Sequence, residues 1–166
     1  MSEPERPYRI AVIGAARASE SEYAVARALG AALAEAGAVV VCGGHGGVME
    51  AVARGAREAG GLTVGILPGT EAEHANPWIQ VPLPTGLGDA RNALVVRGAE
   101  AVIAVGGKWG TLSEIALARK MGIDVATLGV PPAEGLGLPA MDGPGPAAAW
   151  ALDRAEQGRN VHDQRI

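Results

Sequence analysis

Two glycine-rich stretches hold the residue types from which an anion site is built. The first, CGGHGGVME at residues 42–50, follows a run of valines. Gly43, Gly44, Gly46 and Gly47 permit positive φ and close approach of backbone to a ligand. A helix beginning near Gly47 aims free amides and the positive end of its dipole at the turn. The second, GGKWGTLSE at residues 106–114, again lies between a strand pattern and a helix pattern. Gly106, Gly107 and Gly110 open that turn, and Thr111 is placed to cap the helix or to hydrogen-bond a phosphate oxygen. One such turn serves equally well to let a helix pack against a sheet. Two at neighbouring strand ends suit a phosphorylated small ligand. No GxGxxG is readable in either stretch, and Gly107-Lys108 lacks the following Ser/Thr of a P-loop. Dinucleotide hydride transfer and kinase-type phosphoryl transfer are therefore disfavoured.

Two ionisable residues give the pocket a chemistry. Cleavage of an N-glycosidic bond passes through an oxocarbenium-like state, which a carboxylate beside the ribose stabilises; Glu114 is placed for that. It also falls three residues after Thr111, so a capping box at the helix start is the plainer alternative. Arg91 follows TGLGDA, where it either clamps a phosphate bidentately or pairs with Asp89 or Glu114. Lys108 adds charge to the second turn, and Trp109 either stacks on a ring or covers apolar surface. Cys42 and His45 have a CxxH spacing without a second pair, so no metal site is expected; a buried thiol beside a ligand-facing His45 fits better. Met49, Met121 and Met141 read as packing, and His74 and Asn76 lie in a long loop that could reach over the pocket. Pyridoxal chemistry needs a Schiff-base lysine, and neither Lys108 nor Lys120 has an evident pyridinium partner.

The pair CGGHGGVM and GGKWGTLSE resembles the GGGxxGxM and PGGxGTxxE motifs of the Lonely Guy phosphoribohydrolases and of the related molybdenum cofactor carrier proteins, over residues 9–129. The resemblance implies a pocket formed by Gly43, Gly44, His45, Gly46, Gly47, Met49, Arg91, Asn92, Gly106, Gly107, Lys108, Trp109, Gly110, Thr111 and Glu114. It implies that Arg91 and Glu114 are catalytic if the chain is an enzyme, and that hydrolysis requires no cofactor. It further implies molybdenum cofactor or AMP as bound ligand, and a homodimer or higher homo-oligomer. Cys42 stands where the first motif begins with Gly, Val105 replaces the Pro of the second, and Asn92 replaces a Lys after the arginine. These departures are closer to the carrier branch. A carrier of a phosphate-bearing nucleotide or pterin-nucleotide therefore ranks first. A nucleoside 5'-monophosphate phosphoribohydrolase is the alternative, and a nucleotide sensor signalling through residues 129–146 is third.

The elements that must position these residues alternate strand and helix. Apolar runs at residues 9–13, 38–41, 62–67, 101–105 and 124–128 read as strands, and residues 19–36, 47–59, 87–97, 111–121 and 147–157 as helices. Residues 68–84 read as a loop with a short strand at 78–81, and the Gly/Pro-rich residues 129–146 as a mobile loop. The alternation predicts one three-layer α/β domain over residues 1–166, a Rossmann-like, doubly wound, mainly parallel sheet of six or seven strands. Residues 1–7 and 159–166 are expected to be frayed tails. With 48% hydrophobic residues, 3% aromatics and no Phe, the core must be Val, Ile, Leu and Ala. A net charge of −4 with only two lysines argues against a nucleic-acid partner. No apolar run has membrane-spanning length and no signal segment opens the chain, so a cytoplasmic protein is expected.

Overall fold

The valine- and alanine-rich runs form the middle of a sheet covered on both faces, as the absence of Phe requires. The computed structural model describes residues 5–163. In chain order the elements are β1 (Arg9–Gly14), α1 (Glu20–Glu35), β2 (Val39–Cys42), α2 (Val48–Glu58), β3 (Thr63–Leu67), β4 (Val81–Pro84), α3 (Asn92–Arg97), β5 (Ala101–Val105), α4 (Trp109–Lys120), β6 (Val125–Leu128), β7 (Ala140–Met141) and α5 (Pro144–Asp163). Short 3-10 turns occupy Ala72–His74 and Gly88–Arg91. All seven strands are parallel, in the order β4-β3-β2-β1-β5-β6-β7. The central pair runs in register from Ile10 opposite Ala101 to Gly14 opposite Val105. Every residue of β5 is buried, as befits a strand covered by helices on both faces. No helix among the described residues is long and apolar enough to cross a membrane.

Several boundaries differ from the sequence expectations for identifiable reasons. The strand expected at 78–81 lies instead at Val81–Pro84 and includes two prolines. It is tolerated because β4 is an edge strand, where a missing N–H leaves no ladder bond unmade. The Gly/Pro-rich residues 129–146 are not one long loop. Ala140 and Met141 pair with Thr127 and Leu128, which adds the seventh strand. Pro144 then opens α5, at a position where helices have no N–H to lose. That helix runs on to Asp163, into the stretch expected to be a tail. Arg159 holds it: the guanidinium pairs with Glu100, donates to the carbonyls of Arg6 at 2.6 Å and Pro7 at 2.8 Å, and lies 4.2 Å from the Tyr8 ring centroid. Of the expected tails, residues 1–4 and 164–166 lie outside the described residues.

The first helix starts as its sequence dictates. Ser19 accepts from the Glu22 amide at 3.1 Å and Glu22 accepts from the Ser19 amide at 2.8 Å, a complete capping box. Its far face packs against α2 through glycine. A β-carbon on Gly30 would run into the Val52 carbonyl and lie 2.9 Å from the Ala56 amide nitrogen. One on Gly55 would run into the Arg27 carbonyl. The two helices therefore touch backbone to backbone, which fixes the position of the α2 N-terminus over the sheet.

Candidate functional site

The sheet order reverses between β1 and β5: chain continuing from β1 adds strands on one side, and β5 begins the other. A doubly wound sheet has its ligand crevice at the carboxyl ends of such a pair. A cavity of about 460 Å³ lies there. It is lined by Gly14, Ala15, Ala16 and Arg17 after β1, His45 and Met49 of the first motif, Asp89, Arg91 and Asn92 before and at the start of α3, and Lys108, Gly110, Thr111 and Glu114 of the second. The two glycine turns are thus not on neighbouring strands. They follow β2 and β5, with β1 between them. The turn after β1 is the wall that sequence reasoning missed. Its alanines have no functional side chain, and the available signal was Gly14 closing a central strand. A β-carbon on Gly14 would lie 2.6 Å from the Val105 carbonyl oxygen and 2.7 Å from the Val48 side chain.

The first turn is mostly a structural joint. Gly44 and Gly47 have φ of +79° and +65°, whereas Gly43 and Gly46 have no positive φ. The first α2 amide, Val48 N–H, donates to the Ala15 carbonyl at 3.0 Å, while those of residues 49 and 50 precede the first helical bond, from Ala51 N–H to the Gly47 carbonyl at 3.0 Å. Gly47 is packed so closely on that turn that a β-carbon would collide with Ala15 O. Around Gly46 there is room, since a β-carbon there would meet only Ala16 O at 3.4 Å. Gly43 is bare for another reason: a β-carbon would occupy the place of the Arg91 guanidinium and lie 2.6 Å from Met49 Sδ. Asn76 does reach over this turn, donating through Nδ2 to the His45 carbonyl at 2.8 Å and through its backbone to the Gly44 carbonyl at 2.8 Å. His74 does not line the cavity.

The second turn keeps its donors free. Gly106 and Gly107 have φ of +57° and +105°, and α4 begins at Trp109 behind Lys108, which makes no side-chain cap. The first helical bond runs from Leu112 N–H to the Lys108 carbonyl at 2.9 Å. The amides of residues 109–111 precede it and have no carbonyl of the helix to bond. Because the helix starts before Thr111, that residue is not its cap; it is buried, with its side chain against Gly107. For the same reason Glu114 is no capping-box residue. The early start also turns Trp109 outward: it is 84% exposed and lines a separate shallow cavity beside Ala93 and Leu117. Asn92 ties α3 to α4 by donating to Ser113 Oγ at 3.3 Å.

Arg91 and Glu114 are the buried charged residues of the cavity, 9% and 7% exposed. Neither forms an ion pair within 4.0 Å among the described residues, and Arg91 Nε is buried without a hydrogen-bond partner. Burial lowers the Arg91 pKa, against the opposing charges of Glu114, Cys42 and Asp89. Burial raises that of Glu114 to about 7, partly offset by Arg91. His45 is pushed down by burial and by Arg91 and His74, which favours the neutral ring. Burial lifts the Cys42 thiol to about 11, and its Sγ donates to the Met49 carbonyl at 3.7 Å. Among the described residues no group of three His, Cys, Asp or Glu could hold a metal ion. The cavity thus combines a carboxyl whose pKa burial raises, a guanidinium with an unpartnered Nε and free helix amides, groups able to hold an anion.

The raised pKa of Glu114 sets a pH dependence of stability. An acid with an ordinary value of 4.5 when unfolded and about 7 when folded binds its proton more tightly in the native state. Its contribution is complete below pH 4.5 and is lost as pH rises through about 7. The loss amounts to roughly 3 kcal/mol at 1.36 kcal/mol per pKa unit. Glu114→Gln is expected to match wild type near pH 4.5 and to exceed it in stability at pH 8. Urea denaturation at the two pH values checks this, and parallel curves for both proteins would refute it.

A model of the SLOG cluster4 family matches residues 7–140. An uncharacterized protein of Archaeoglobus fulgidus is 46% identical over 123 residues, which cover 74% of this chain and 81% of that one. The molybdenum cofactor binding protein of the phototrophic bacterium Rippkaea orientalis superposes with a TM-score of 0.81 at 32% identity, over 92% of this chain and 98% of its own. The molybdenum cofactor carrier protein of Chlamydomonas reinhardtii superposes with a TM-score of 0.81 at 31% identity, over 90% and 98%.

Proposed function

The chain belongs to the SLOG cluster4 family, and from that membership we propose that it is a carrier of a phosphate-bearing pterin or nucleotide, with molybdenum cofactor as the first candidate cargo. The observation that carries this reading is Arg91: a buried guanidinium with an unpartnered Nε, in a crevice where the α4 amides are also free. Burying a charged group without a partner costs free energy unless a ligand supplies one. A phosphate accepting from the α4 amides and from Arg91 does so, with Lys108 adding charge and Thr111 a hydroxyl. The volume of the crevice is that of an ordinary small-molecule site. Two structures of similar shape, matched over nearly their whole length, are those of a molybdenum cofactor binding protein and a molybdenum cofactor carrier protein, which supports the choice of cargo.

One observation favours a second reading, phosphoribohydrolase activity. Glu114, with a pKa near 7 beside Arg91, is a carboxyl group able to give or take a proton at neutral pH. The proposal also includes a homodimer, for which Trp109, 84% exposed beside Ala93 and Leu117, is an apolar group that a second copy would cover. Native mass spectrometry of the purified protein tests cargo and oligomeric state together. A pterin phosphate or nucleotide retained by a dimer is expected. Incubation with AMP then separates the readings: a carrier releases no free base. Base release that disappears in Glu114→Gln would replace the carrier with the hydrolase.

A further inference from the structure

At the opposite end of the sheet, below the N-terminal ends of β5 and β6, lies a second cavity of about 710 Å³. Its charged groups are Arg97 at the end of α3, Glu100 before β5, Asp124 before β6, and Arg154 and Arg159 on α5. Glu100 and Arg159 are committed to each other, and Glu100 also accepts from the Arg9 amide at 2.8 Å. Arg97 and Arg154 form no ion pair within 4.0 Å among the described residues. Arg154 donates through Nη1 to Gln157 at 3.4 Å, while its Nε is buried without an acceptor. Asp124 is exposed at the rim, where solvent screens it.

The wall of this cavity includes a glycine that packing does not explain. Gly158 lies inside α5, where glycine costs about 1 kcal/mol relative to alanine, yet a β-carbon there would meet nothing within 4 Å. Its effect is to leave backbone, not side chain, facing the space between Arg154 and Arg159.

We propose that this cavity is a second anion site, separate from the crevice, that takes the oxyanion group of a small molecule between Arg97 and Arg154. Either a phosphate or a carboxylate presents its oxygens to the guanidinium of Arg154 where it lines the cavity, with Arg97 completing the charge. The remaining carboxylate of the cavity floor, Glu100, is already neutralised by Arg159 and does not repel the ligand as a free carboxylate would.

The test uses Arg91→Met full-length protein, in which crevice binding is weakened, titrated with inorganic phosphate and separately with citrate while amide resonances are followed. Saturable shifts clustered at residues 97–100, 122–124 and 154–159 are expected, and the probe that saturates at lower concentration identifies the phosphate or the carboxylate source. Adding Arg154→Met should weaken binding at least tenfold, and Arg154→Lys should give an intermediate loss because the charge stays and the fork goes. Shifts spread elsewhere, or unchanged by both Arg154 substitutions, would overturn the proposal. Because the shifts are read at residues of this cavity and through Arg154 substitutions, the result does not depend on the carrier reading.

Discussion

Arg91→Met is expected to weaken ligand binding in the crevice severely while leaving the fold at least as stable as before. Two charge-assisted hydrogen bonds to a phosphate are together worth about 3 kcal/mol, so affinity for inorganic phosphate or AMP should fall about 100-fold. The unliganded protein loses no ion pair, because Arg91 has none within 4.0 Å among the described residues. It does lose an unsatisfied buried donor. The methionine chain keeps contact with the Gly43 and Met49 side of the pocket, where the guanidinium now lies. Removing the positive charge also takes away the influence that lowers the Glu114 pKa, so that carboxyl should titrate still higher. Calorimetric titration together with thermal melting measures both halves. An affinity within threefold of wild type would show that the guanidinium does not touch the ligand.

A large stability loss is expected at the junction of α1 and α2, remote from the crevice, where the Arg27–Glu58 ion pair also joins the two helices. At Gly30 the obstructing atoms are the Val52 carbonyl and the Ala56 amide, both backbone and both inside a helix. They cannot rotate away as a side chain would. Gly30→Ala gains roughly 1 kcal/mol of helix propensity, but the overpacking typically costs 1–3 kcal/mol and here exceeds that range because backbone must move. A net loss of about 2–3 kcal/mol is expected, and Gly30→Leu should not fold. Gly55→Ala should behave alike, since its obstruction is the Arg27 carbonyl. Urea midpoints decide it, and a Gly30→Ala midpoint at or above wild type would mean that the helices are not in backbone contact.

The fold was legible because each strand and helix announces itself by period and by the glycine that ends it. The β5 boundaries agree residue for residue, and the helix expected from residue 19 does open there, behind Ser19. What the sequence concealed depends on tertiary placement. Proline argues against a strand unless the strand lies at an edge, which only the assembled order reveals for Val81–Pro84. Two residues pairing with β6 cannot be told from a loop when prolines and glycines surround them. Within the candidate site, Arg91 and Glu114 were legible as chemical types, and the structure brings both into one cavity. The glycines were legible only as permissive backbone. That Val48 N–H is already engaged by Ala15 O, and that Gly43 makes room for a guanidinium, are facts of neighbours distant in sequence. Trp109 was misplaced because α4 starts before Thr111, and a helix residue's direction depends on where the helix begins.

The bonds that join the crevice walls have a kinetic consequence. The turn after β1 is fastened to α2 through Ala15 and Val48, the turn after β2 is clasped by Asn76, and α3 is tied to α4 through Asn92 and Ser113. A cradle assembled in advance pays little ordering entropy on loading, which favours tight retention. Opening it would require breaking at least one of these bonds. If cargo rests there, unloading has to be driven from outside, by a recipient that competes for the phosphate. Loading should then be a single step, with an observed rate that rises linearly with ligand concentration; a plateau in that rate would reveal a gating motion.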